Sequence, residues 1–143
     1  DIKNSKKKGG NNLMKLLEAF KYTILINVAL FFLIIASAFY ADEELTKVSE
    51  SLPSGLLFES VLGLIVSSLY SIASFVALYM IYKLKSFGRK LYTICFFIGC
   101  FVTLLGGPLV IGSIVSLLYE LMMVTTGAIL VFLYFTPIKN NFK

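Results

Sequence analysis

The sequence predicts an all-α, polytopic membrane protein whose four transmembrane helices form an antiparallel bundle, and three observations carry that expectation. The 143 residues are 58% hydrophobic and only 15% charged, with mean hydropathy +0.87, whereas soluble domains carry about 25% charge. Apolar runs able to cross a hydrocarbon core of about 30 Å recur at residues 22–40, 56–82, 91–105 and 109–135. Charged or glycine- and proline-containing breaks separate them. Such spans leave too little chain for a further domain. Residues 13–143 therefore read as a single four-helix transmembrane domain behind a basic, flexible tail over residues 1–12.

That tail is polar, with Lys6, Lys7 and Lys8 followed by Gly9 and Gly10, the pattern of a solvated basic segment. Met14 is a candidate natural start, which would make the residues before it a processing remnant. A helical pattern begins at Leu13, with Asn12 available as its N-cap, and runs into the first span. Lys15 and Lys21 before this span and Ala36-Ser37-Ala38 near its end imitate a signal peptide. An uncut signal followed by further spans is simply a first transmembrane helix. Within it Asn27 is expected to act as packing glue, since interhelical hydrogen bonds of this kind contribute about 0.6 to 2 kcal/mol in lipid.

Residues 41–55 are the one sizeable loop, and it is acidic, with Asp42, Glu43, Glu44 and Glu50 against Lys47. Asp42 can cap a short helix in which Glu43 and Lys47 pair, before Pro53-Ser54-Gly55 turns the chain back. The second span carries Ser60, Gly63, Ser67, Ser71 and Ser74 at steps of three and four, a small-residue seam that lets helices approach closely. Glu59 at its outer end reads as a headgroup-level boundary residue.

Lys83, Lys85, Arg89 and Lys90 around Ser86 and Gly88 form a basic loop into the short third span, where Cys95, Gly99 and Thr103 repeat at every fourth position as a second seam. Cys95 and Cys100 stand about 140° apart on a helix, a poor geometry for a disulfide. Gly106-Gly107-Pro108 is a tight turn that should make the third and fourth spans an antiparallel hairpin. Thr136-Pro137 ends the last span and leaves Lys139 and Lys143 in a short tail. Of the 13 Lys and Arg residues, only Lys47 falls on the far side of this arrangement. Both termini are therefore expected in the cytoplasm, with the acidic loop and the Gly-Gly-Pro turn outside.

The fourth span holds the one acid deep inside an apolar run, Glu120. At about 100° per residue, Gly112, Ser116, Glu120, Gly127 and Tyr134, with Ser113 at the edge, share one side. Ile114, Leu118, Leu121, Ile129 and Phe132 share the other. The small, polar stripe is expected to face inward. Counting about 1.5 Å per residue from Phe135 puts Glu120 roughly 22 Å into the membrane, level with Ser37, Ser67, Ser68 and Thr103. An ionisable group at such depth is by default a functional candidate. It can serve as a cation or proton site, or as a protonated strut hydrogen-bonded to those hydroxyls.

Composition excludes much else. Histidine and tryptophan are absent, which removes the commonest metal ligand, haem ligand and neutral-pH general base. No cofactor or metal site is expected. An intramembrane aspartyl protease needs paired aspartates and a serine one a histidine or lysine base, and the spans offer neither. No catalytic residue is expected and the chain reads as a non-enzyme. The net charge of +5 is explained by lysines flanking the spans and by attraction to anionic lipid, not by nucleic acid.

Gly88-Arg89-Lys90-Leu91-Tyr92, the Gly107-Pro108 turn, Gly127-Ala128-Ile129-Leu130, and Tyr134-Phe135-Thr136-Pro137 with Phe142 form a recognisable set. Through them the chain, from Gly88 to Phe142, resembles uncharacterised small four-helix inner-membrane proteins of bacteria. The resemblance implies residence in the bacterial inner membrane and no particular activity. Members of that group often carry an acid just before the Gly-Ala-Ile-Leu stretch, where this chain has Thr126, so no role for that acid carries over. The expected partners are the lipid bilayer and another membrane protein, bound as by an accessory subunit or by an immunity-type protein that blocks a pore-forming toxin. The alternative is a small homo-oligomeric transporter or channel using Glu120, because four short helices alone enclose no pathway of useful width.

Overall fold

The computed structural model describes residues 2–38, 61–105 and 112–143. The described residues form helices α1 (Ile2–Ala38), α2 (Val61–Tyr82), α3 (Ser86–Leu105) and α4 (Ser113–Phe135), followed by a 3-10 turn, Pro137–Asn141. Each of the four helices contains a stretch long and apolar enough to cross a membrane: Asn12–Ser37, Ile65–Tyr82, Ser86–Leu104 and Ser113–Phe135. The acidic loop, Glu59, Ser60 and the Gly106-Gly107-Pro108 turn lie outside the described residues.

Two helix boundaries differ from the sequence pattern. α1 starts at Ile2 and continues through Gly9 and Gly10, where composition suggests a flexible tail. Extending an existing helix costs far less than nucleating one, so a long apolar helix can carry a polar extension. α3 starts at Ser86, so Arg89 and Lys90 lie within its first turns and the basic loop shrinks to Lys83, Leu84 and Lys85.

That short connection is made by the way α2 ends. The Leu84 N–H donates to Ile81 O (2.9 Å) and the Lys85 N–H to Met80 O (2.9 Å), the crossed pair of bonds of a Schellman terminus. Leu84 takes φ 56°, a left-handed conformation usually given to glycine and costing a side chain roughly 1 to 2 kcal/mol. Its side chain packs against the core in return.

The helices associate as two pairs. α1 lies along α4, and α2 lies along α3, with slight contact between α1 and α2. The α2–α3 contact runs from Gly88 against Met80 and Ile81 to Gly99 against Tyr70, whose hydroxyl donates to Cys95 O (3.2 Å). Thus α3 finds its main neighbour in α2 rather than in α4, unlike the hairpin suggested by the Gly-Gly-Pro turn. A tight turn fixes only the ends of two helices, whereas the whole of the Gly88–Gly99 side matches α2.

One cluster joins the pairs: Phe20 and Ile24 of α1, Ala77, Leu78 and Ile81 of α2, Tyr92 of α3, Ile129 and Leu133 of α4, and Ile138. The last comes from the segment that composition reads as a tail. There Thr136 caps the 3-10 turn, accepting from the Ile138 N–H (3.3 Å) while donating to Phe132 O (2.8 Å). The Phe142 ring stands edge-on to Phe20. Lys143 then pairs with the α2–α3 connection, its N–H donating to Leu84 O (3.0 Å) and its O accepting from the Ser86 N–H (2.8 Å). Residues after α4 therefore tie both helix pairs together.

Candidate functional site

Asn27 is the buried polar residue of the described core, 6% exposed, on the side of α1 that meets α4. Its Nδ2 lies 2.8 Å from Thr125 Oγ1, 3.1 Å from Thr126 Oγ1 and 3.3 Å from Met122 O. Both threonine hydroxyls donate their own protons to Met122 O, at 2.9 and 2.8 Å. A hydroxyl that has given its proton away keeps lone pairs to accept with, so the two threonines present acceptors and Asn27 supplies the donor. All participants are neutral. The arrangement fastens two helices.

This contact fixes which way α4 faces. Thr125, Thr126, Ile129 and Leu133 lie toward α1, with Ile129 and Leu133 fully buried. At about 100° per residue, the stripe of Gly112, Ser116, Glu120, Gly127 and Tyr134 is turned well away from that direction. The expected inward stripe is therefore not the one that packs on α1, and Ile129 and Phe132 from the opposite side are. Phe132 stands edge-on to Phe20, 5.6 Å between ring centres. In helices apolar enough to cross a membrane, a contrast between small polar and greasy faces does not by itself select the buried one.

Glu120 is exposed on α4. The hydroxyls expected around it are engaged within their own helices: Ser37 donates to Ile34 O (2.7 Å) and Thr103 to Gly99 O (2.9 Å). Ser67 is half-buried and Ser68 exposed. The structure does not bring Glu120 together with these residues as one cluster.

The packing residues divide more finely. On α2, Gly63 is buried, Ser67, Ser71 and Ser74 are half-buried, and Ser71 donates to Ser67 O (2.9 Å). They share a side with Ala77 and Ile81, which are fully buried. On α3, Gly99 admits the Tyr70 hydroxyl to a distance no Cβ would tolerate, while Thr103 faces outward. On α4, Gly112 precedes the helix as its N-cap and accepts from the Ser116 N–H (2.9 Å), and Gly127 has nothing within 4 Å of where a Cβ would stand. Cys95 is buried and Cys100 exposed, both free.

Basic and aromatic residues gather at the end of the molecule where α2 gives way to α3. The Lys21 ammonium lies 5.3 Å from the Tyr82 ring centre and that of Lys83 5.9 Å from Tyr79. The Arg89 guanidinium lies 5.6 Å from the Tyr134 ring centre and 5.9 Å from that of Phe142. The Thr93 and Tyr134 hydroxyls are 2.7 Å apart.

Residue-by-residue reading misses Thr125, Thr126 and Gly88 as contact residues. Counting depth from the span ends would have set Asn27 level with Leu130, more than one turn from the threonines. Nothing in sequence periodicity singles out Gly88, which closes against the backbone of a different helix.

These features define a small all-α chain with four helices apolar enough to span a membrane and a hydrogen-bonded fastener between two of them. Compared with known protein families, characterised proteins and solved structures, the chain finds no match.

Proposed function

We propose that the protein is an integral membrane protein of the bacterial inner-membrane type, crossing four times as an antiparallel bundle with both termini cytoplasmic. It acts without catalysis, by binding another membrane protein along the outer half of α4. The observation that carries this reading is the exposed carboxyl of Glu120 within an apolar helix. Ionisable groups facing hydrocarbon are costly to leave unpartnered, and a neighbouring helix offering a hydroxyl, amide or cation relieves that cost. Leu117, Leu121 and Val124 are exposed beside it, which supplies an apolar surround for such a contact. The orientation rests on the positive-inside asymmetry, with Lys47 the lone exception among 13 basic residues.

A photoreactive amino acid placed at Leu117, Leu121 or Val124 in intact cells tests this reading. A discrete protein adduct is expected, and the same probe at Phe32 on α1 should give none. Glu120→Gln should preserve the adduct and Glu120→Leu should weaken it, because only the amide keeps a hydrogen-bonding group. Adducts to lipid alone would remove the binding role. An adduct to a second copy, with proton or cation uptake into vesicles abolished by Glu120→Gln, would favour the transporter instead.

A further inference from the structure

A groove opens between α3 and α4 where those helices, each committed to another partner, do not pack closely. It is lined by Thr93, Phe96, Phe97, Leu130, Tyr134 and Phe135. Its walls are almost wholly apolar, and the hydrogen-bonded Thr93 and Tyr134 hydroxyls stand at one end. One turn below, Thr93 donates to the carbonyl of Arg89 (3.0 Å), whose guanidinium is flanked by the Tyr134 and Phe142 rings.

We propose that this groove binds one anionic glycerophospholipid, its phosphate on Arg89 and an acyl chain lying along Phe96, Phe97, Leu130 and Phe135. The proposal rests on the chain spanning a membrane and is independent of the Glu120 contact. Three features converge on this occupant. Arg89 lies in the first turns of α3, next to exposed Lys90, and so at headgroup depth in the proposed topology. The groove runs from there toward the hydrocarbon, the direction in which an acyl chain must go. A guanidinium held over two rings, at 5.6 and 5.9 Å from their centres, is preorganised, and its donor fork matches two phosphate oxygens at once. Basic pockets between spanning helices on the cytoplasmic side suit anionic headgroups in this way.

The test uses the full chain in lipid nanodiscs and in mild detergent, with phosphatidylglycerol, phosphatidylcholine and inorganic phosphate as probes. Native mass spectrometry should show one retained phosphatidylglycerol, preferred over phosphatidylcholine by about fivefold, the discrimination one basic residue provides. Arg89→Gln should abolish the preference and Arg89→Lys should keep part of it. A phosphatidylglycerol with a photoreactive acyl chain should label residues 93–97 or 130–135, and this arm needs no substitution. Equal retention of both lipids, an unchanged preference in a folded Arg89→Gln protein, labelling elsewhere, or displacement of the lipid by inorganic phosphate would each overturn the proposal. Failure to enter nanodiscs at all would instead strike the membrane reading on which it rests.

Discussion

Asn27 and Thr125 meet across the α1–α4 contact with 2.8 Å between the amide nitrogen and the hydroxyl oxygen, at a point where the threonine has already donated its proton to its own helix. The bond therefore runs in one direction, from α1 to α4. Asn27→Leu should lower stability in mild detergent by about 0.6 to 2 kcal/mol. A double-mutant cycle with Thr125→Val should return a coupling of about 0.6 kcal/mol. A thermal midpoint unmoved by Asn27→Leu would mean that this contact does not fasten the helices.

Gly88 and Gly127 should respond oppositely to the same methyl group. A Cβ on Gly88 would stand 2.5 Å from Met80 Cβ and 2.8 Å from the Ile81 nitrogen, forcing α3 away from α2 at a cost of about 1 to 3 kcal/mol. Gly127 has open space, and Gly127→Ala should add up to about 1 kcal/mol through helix propensity. Melting curves of the two variants, taken side by side, check the pairing of α2 with α3.

Ile138 provides a test of the docked C-terminal segment. It is fully buried while its neighbour Lys139 is exposed. Ile138→Ala should cost about 2 to 5 kcal/mol and Lys139→Ala no more than about 0.5 kcal/mol. Equal, small effects in chemical or thermal unfolding would show that residues after Phe135 are not part of the core.

Orientation is checked by labelling. In a variant with Cys95 and Cys100 replaced by alanine, a cysteine at Lys47 should react with an impermeant maleimide added outside cells, and one at Lys85 only after the membrane is opened. The reverse pattern would invert the topology.

How much of this was legible in the sequence depends on the kind of signal. Four apolar runs announce four helices because run length alone is nearly sufficient, and Asn27 stands out because an amide in an apolar run needs a partner. Facing is harder. The small stripe through Glu120 and Gly127 looks like an interior seam, yet α4 packs on α1 through Thr125, Thr126, Ile129 and Leu133. In a chain as apolar as this one, polarity contrast carries little information about burial. Shape complementarity, which decides the matter, is a property of two surfaces and is not written in either helix. Ile138 and Phe142 are hidden for another reason: the stretch is short and lysine-flanked, and only the position of Phe20 gives its apolar residues something to cover.

The fully buried side chains, Phe20, Ala77, Ile81, Ile129, Leu133 and Ile138, gather near the end of the molecule where the last residues cross from one helix pair to the other. Toward the opposite end the described residues of α3 and α4 are largely exposed, as at Phe101, Leu104, Ile114 and Leu117. Among the described residues this is a pair of tongs, riveted at one end and lightly packed at the other. A swing of about 10° about the rivet would shift the far ends of the two helix pairs by about 5 Å over a helix of about 30 Å, with the Asn27 fastener undisturbed because it joins α1 to α4 within one pair. Among the described residues, the far end of α4, where Glu120 stands, would change its position with little loss of packing.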